Sequence, residues 1–140
     1  MHRKTRERVE IYDQRANQWQ PGPPLIHVRS GAGVTVCNGR IIAVGGHKGA
    51  DIHKSAEVLI GDQWHEMPSM TVGRRNAAIV AVNDRLFAIG GDDGSSNLST
   101  IECIQLTNKH NENAWERFET KMPQGRSYAG IALLPKEDNF

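Results

Sequence analysis

The sequence predicts an all-β fold: four-stranded antiparallel meanders stacked radially as blades of a β-propeller. A short apolar run closed by a glycine pair occurs twice. Ile41-Ile42-Ala43-Val44-Gly45-Gly46 returns as Leu86-Phe87-Ala88-Ile89-Gly90-Gly91, an offset of 90 − 45 = 45 residues. Self-similarity at that period marks a repeat architecture. The offset holds without a gap from Trp19 to Glu57, with 11 identities in 39 positions, where chance gives roughly two or three. No stretch combines helical periodicity with helix caps. One such sheet cannot bury both its faces, so it stacks on copies of itself. A β-sandwich is the alternative, but it has no need of an ungapped internal copy.

The elements follow in chain order. Residues 1–24 form a partial blade, its third strand carrying Val9-Glu10-Ile11-Tyr12-Asp13 and its fourth Trp19. Its basic start, Met1 to Arg6, reads as the loop entering that third strand. Residues 25–70 form a full blade. Gly33–Cys37 pairs with Arg40–Val44 across Asn38-Gly39, because Asn-Gly supplies the two positive φ angles of a tight hairpin. A long loop, His47 to Lys54, leads to strand three at Ser55–Leu59. Gly61-Asp62 then turns the chain into strand four, Gln63–Glu66. Residues 71–123 repeat the plan with Ala78–Val82, Arg85–Ile89, the loop Asp92 to Leu98, Thr100–Gln105 and Ala114–Phe118. The arginine offset here is 126 − 74 = 52, which places an insertion near residues 108–113. Residues 124–140 supply the first strand of a further blade, Ile131–Leu134. Two whole blades and two partial ones are fewer than the roughly four to eight of a closed ring. The expectation is a piece of a longer chain, or a chain that self-associates through its open faces.

These residues resemble the kelch repeat. The carriers are Gly45-Gly46 and Gly90-Gly91 closing strand two, the glutamates Glu10, Glu57 and Glu102 in strand three, and the tryptophans Trp19, Trp64 and Trp115. Pro and then Arg29, Arg74 or Arg126 follow before strand one. The strand-three motif is degraded to Ala56-Glu57-Val58-Leu59 and Ile101-Glu102-Cys103-Ile104 in the later units. The other common four-stranded repeat carries a Gly-His and a Trp-Asp pair per unit, and neither occurs in register. The resemblance implies a protein-interaction module whose loops grip partner peptides. Many such chains follow a BTB domain and serve as substrate-recognition adaptors of cullin-based ubiquitin ligases. An actin-binding cytoskeletal role is the alternative, and an enzyme on the same fold a third.

Composition bounds the rest. The net charge is +1, which argues against nucleic acid or a membrane surface as partner. No apolar run approaches the ~20 residues that span a bilayer, and no secretory signal follows the basic start. Cys37 and Cys103 lie inside apolar runs and read as reduced, buried thiols of a cytoplasmic or nuclear protein. No nucleophile is paired with a base, so no catalytic residue and no cofactor is expected. His47, Asp51 and His53 are close in sequence but lack the three or four fixed ligands of a metal site. Asp92-Asp93-Gly94-Ser95 reads as a turn.

The meander puts the strand-two-to-three loops and the inter-blade links on one face. Binding usually sits on such loops. The candidates are His47, Lys48, Asp51, His53 and Lys54 on the first loop, and Asp92, Asp93, Ser95, Ser96 and Asn97 on the second. Arg75 and Tyr128 join them from the links. Arg29, Arg74 and Arg126 recur in every unit and are expected to brace neighbouring strands. Arg75 and Tyr128 do not recur, so they are the specificity candidates. With His47, Lys48 and Lys54 they are expected to contact an acidic or hydroxyl-bearing peptide.

Overall fold

The computed structural model describes residues 8–106 and 113–136. Strands β1 (Glu10–Asp13) and β2 (Gln18–Pro21) form an antiparallel hairpin. Strands β3 (Gly33–Cys37), β4 (Arg40–Val44), β7 (Ala56–Ile60) and β8 (Gln63–Met67) form one four-stranded sheet in the order β3-β4-β7-β8. Strands β9 (Ala78–Val82), β10 (Arg85–Ile89), β11 (Ile101–Gln105) and β12 (Glu116–Arg117) form a second, in the order β9-β10-β11-β12. Between β4 and β7 the short strands β5 (His47–Lys48) and β6 (Asp51–Ile52) make a separate hairpin. Every pairing is antiparallel, so each sheet is a meander and the two are propeller blades. The bounds of β3, β4 and β7 plus 45 reproduce those of β9, β10 and β11.

Local sequence explains the strands. Asn38 and Gly39 turn at φ 51 and 73 between β3 and β4, as an Asn-Gly hairpin requires. In the second blade only Asn83 of the Asn83-Asp84 pair has positive φ. Alternation then sorts the side chains. Gly33, Cys37, Ile42, Val44, Ala56 and Val58 turn one face of the first blade toward the second. Ile79, Leu86, Ala88 and Ile104 return the contact, and Trp115 joins the same buried cluster. Contact is closest at Gly33, where an added Cβ would lie 2.0 Å from Ile79 Cγ1. Each fully buried Leu or Ile contributes about 1.5–3 kcal/mol.

In both full blades the recurrent arginine bonds its own link to the second and third strands. Arg29 Nε donates to Glu57 Oε2 at 2.8 Å, and its Nη1 donates to Gly45 O at 2.7 Å and Ser55 O at 2.9 Å. Arg74 repeats this with Glu102 at 3.0 Å, Gly90 O at 2.8 Å and Thr100 O at 3.0 Å. Each carboxylate also accepts the N–H of the link, from Ile26 and Thr71, both at 2.7 Å. So one Arg–Glu pair staples link, second strand and third strand. Trp64 and Trp115 donate Nε1–H to Pro23 O at 3.0 Å and Pro68 O at 2.8 Å, tying each blade to the segment before it.

Several expectations change. The loop from His47 to Lys54 holds the β5–β6 hairpin. The strand expected at Ala114–Phe118 pairs only at Glu116–Arg117. Residues 131–134 are unpaired, because no described strand lies alongside them to share a ladder. Arg126 is exposed and pairs with no described carboxylate. The braces of the two full blades reach 57 − 29 = 102 − 74 = 28 residues ahead. Glu10 and Trp19 are likewise exposed on the β1–β2 hairpin, where Tyr12 and Trp19 stack with ring centroids 5.3 Å apart. The basic run Met1 to Arg6 lies outside the described residues, as does the expected insertion apart from Asn113.

Candidate functional site

The glycine pairs create the loop face. Gly45, Gly46, Gly90 and Gly91 have φ of 65, 88, 65 and 84, a region open to glycine at little cost. A Cβ on Gly45 would lie 2.2 Å from Arg74 O, and one on Gly90 2.5 Å from Arg126 O. The bare backbone lets Gly46 N donate to Arg74 O at 2.8 Å and Gly91 N to Arg126 O at 2.7 Å. Each pair thus grips the link entering the next unit while it releases its own loop beside that link. Links and loops meet on one face.

A backbone staircase crosses the repeats there. Gly31, Asn76 and Tyr128 occupy equivalent positions, with φ of 62, 54 and 59. Asn76 N donates to Gly31 O at 2.8 Å, and Tyr128 N to Asn76 O at 3.0 Å.

Beside the second step lies a shallow depression of about 540 Å³ lined by Arg75, Asp92, Ser95, Ser96, Asn97 and Tyr128, with Gly94 and Ser127 completing it. Asp92 is its organiser. Its backbone exchanges two hydrogen bonds with that of Arg75, at 3.0 and 2.9 Å. Oδ1 accepts Arg75 Nε at 2.8 Å and Gly94 N at 3.1 Å, and Oδ2 accepts Ser127 Oγ at 3.0 Å. Burial pushes this carboxyl's pKa up, but the bonds from Gly94, Arg75 and Ser127 outweigh it and hold it below the ordinary carboxylate value. Asp92 was expected to meet a partner. Instead its oxygens are spent orienting Arg75. The guanidinium is held through Nε, and Nη1 and Nη2 have no protein partner among the described residues. Asp93 is exposed, and its Oδ1 accepts Ser95 N and Ser96 N at 2.9 Å each. Those bonds lower its pKa and shape the turn.

The first loop's candidates sit one blade away. Lys48, Asp51 and Lys54 are exposed and His47 is half-buried. His47 Nδ1 lies 2.9 Å from Gly49 O, and His53 donates Nε2–H to Val28 O at 2.8 Å. His53 and Asp51 approach to 4.0 Å. Among the described residues no cluster of three or more His, Cys, Asp or Glu is placed to hold a metal. Ile52 joins the two loops into one surface: a Cβ on Gly94 would sit 3.3 Å from its Cγ1, and one on Gly73 2.6 Å from its carbonyl. Sequence reasoning missed Ser127 and Gly94. Their signal was faint: Gly94 recurs as Gly49 and so read as a feature of the repeat, and each matters here only through its bond to Asp92.

A second hollow, about 560 Å³, lies on the outer half of the second blade and is lined by Arg85, Cys103, Gln105, Phe118 and neighbours. None of the sequence candidates lines it. No described helix is long and apolar enough to cross a membrane.

Comparison with known proteins fits this architecture. The Kelch motif matches residues 29–71 and 73–121. A kelch repeat and BTB domain-containing protein of Caenorhabditis elegans is 38% identical over 50 residues, covering 36% of this chain and 9% of the relative. Kelch-like protein 8 of the same organism is 43% identical over 49 residues, covering 35% of this chain and 7% of the relative. The match thus spans under a tenth of the length of these relatives. The solved structure of YjhT aligns with TM-score 0.73 at 16% identity, over 86% of this chain and 45% of that one.

Proposed function

The chain belongs to the kelch family, and from that premise we propose that it is a protein-interaction module whose loop face grips a peptide of a partner protein. The observation that carries this reading is the Arg75 guanidinium, pinned through Nε by Asp92 where it lines a depression of loop residues. A fixed fork of N–H groups suits a carboxylate or a hydroxyl. Lys48 and Lys54 of the neighbouring loop, with His47, extend the positive and polar surface of this face. The hydroxyl–carboxylate contact in the site, Ser127 Oγ on Asp92 Oδ2, uses a carboxylate already held by Arg75 and Gly94, so the reading is a binding scaffold rather than an enzyme.

The finer reading is substrate recognition for a cullin-based ubiquitin ligase, in the cytoplasm. The BTB domain in the name of one relative supports it over the actin-binding alternative. The test is an affinity pull-down with wild-type protein, Arg75→Ala and Lys48→Ala, followed by titration of the captured partner. Arg75→Ala is expected to weaken binding about tenfold, or ~1.4 kcal/mol. If both variants hold affinity within ~0.5 kcal/mol, the loop face is not the binding surface. Co-purification of a cullin with the full-length protein would separate the ligase adaptor from the cytoskeletal reading.

A further inference from the structure

The staircase residues are equivalent in backbone and unequal in side chain. At Gly31 and Asn76 the left-handed backbone meets the residue types that adopt it most readily. Tyr128 adopts it at φ 59, where a bulky side chain is an outlier. The residue is 82% exposed, and among the described residues its hydroxyl has no hydrogen-bond partner and its ring no aromatic partner. The scaffolding duty at this position, donating N–H to Asn76 O at 3.0 Å, needs no side chain at all. Strained backbone with no structural return concentrates at functional sites. Tyr128 lines the same depression as Arg75.

We propose that Tyr128 is a specificity residue, kept in an unfavourable backbone conformation so that its ring flanks the Arg75 fork. It selects partner segments in which an oxyanion side chain is followed or preceded by an apolar one. The inference rests on the loop face being the partner-binding surface. The oxyanion half follows from the donors. Arg75, Ser95, Ser96 and Asn97 line the depression, the Arg75 Nη groups have no protein partner among the described residues, and the Asp92 oxygens are already occupied. The other carboxylate of the loop, Asp93, lies outside the lining. The apolar half follows from the ring, which gives a partner contact area at small entropic cost. A carboxylate and a phosphoryl group share the chemistry Arg75 reads.

The experiment uses an array of blocked peptides with Asp, Glu, phosphoserine, Ser or Gln at one central position, beside Leu, Phe or Gly. Wild-type chain, Tyr128→Asn and Arg75→Ala are titrated against it, and each is melted. Wild type is expected to favour oxyanion peptides flanked by Leu or Phe. The Glu and phosphoserine arms tell which oxyanion is the source. Tyr128→Asn is expected to weaken Leu- and Phe-flanked peptides about tenfold and Gly-flanked ones hardly at all. Its melting temperature is expected to rise, since Asn carries less strain there. A merely structural tyrosine would give the opposite thermal sign, and that result, or unchanged peptide affinity, overturns the proposal. If Arg75→Ala loses binding while Tyr128→Asn keeps it, only this inference falls. If wild type binds no peptide in the array, the loop-face reading falls and takes this one with it.

Discussion

Arg74 shows how much one side chain can organise. Its side chain and that of Glu102 are fully buried, and its donors reach a carboxylate, two carbonyls and the Thr100 hydroxyl. Burial pulls its pKa below the ordinary arginine value, against the raising pull of Glu102. Removing one partner of a buried ion pair strands the other charge, at a cost of about 3–5 kcal/mol. Arg74→Met is therefore expected to lower unfolding free energy by about that amount in urea melts. A loss below ~1 kcal/mol would show that the staple is replaceable. Its role was legible because Arg, Glu and the glycine pair recur at a constant offset. Asp92 was read as a contact residue because its partner Ser127 lies 35 residues away and no repeat announces the pair.

Among the elements, β3 and its copy β9 are where the blades come closest. Gly33 is buried at the start of β3, and any Cβ there would overlap Ile79 Cγ1 at 2.0 Å. Gly33→Ala is expected to cost about 1–3 kcal/mol through overpacking, read in chemical melts. Gly49 is the control: it has φ 58 and no heavy atom within 4 Å of an added Cβ. Gly49→Ala is expected to cost only its backbone strain, ~1 kcal/mol. If the two variants are equally destabilised, packing across the blade boundary is not what fixes Gly33. The strands themselves were legible, since alternation and Asn-Gly turns are local signals. The β5–β6 hairpin was not, because its two-residue strands are too short to show a period. The pairing at β12 also shrank from the expected strand, beside a segment whose length departs from the repeat.

At the scale of the molecule, equivalent residues meet different fates. Ile79 and Leu86 of the second blade are 7% and 0% exposed against the first blade. Their equivalents 45 residues earlier, Val34 and Ile41, are 60% and 41% exposed, because no described blade covers that face. The tryptophans follow the same gradient, from 4% at Trp115 to 68% at Trp19. Contiguous apolar surface of this kind drives association. The isolated chain is expected to self-associate at high concentration, and Val34→Lys with Ile41→Lys to suppress it. Sedimentation velocity checks this, and a clean wild-type monomer at high concentration would refute it.

The period, the strands, the hairpin turns and the bracing role of the recurrent arginines were legible in the sequence, whereas their pairing with Glu57 and Glu102 was not. The legible features are written in local patterning or in recurrence at a fixed offset. Packing across the blades set which copies are buried, that Asp92 holds Arg75, and that Tyr128 shares a left-handed backbone position with Gly31 and Asn76. Burial and orientation depend on what lies across a blade boundary. A repeat carries the same residues to every boundary without saying which boundaries are filled.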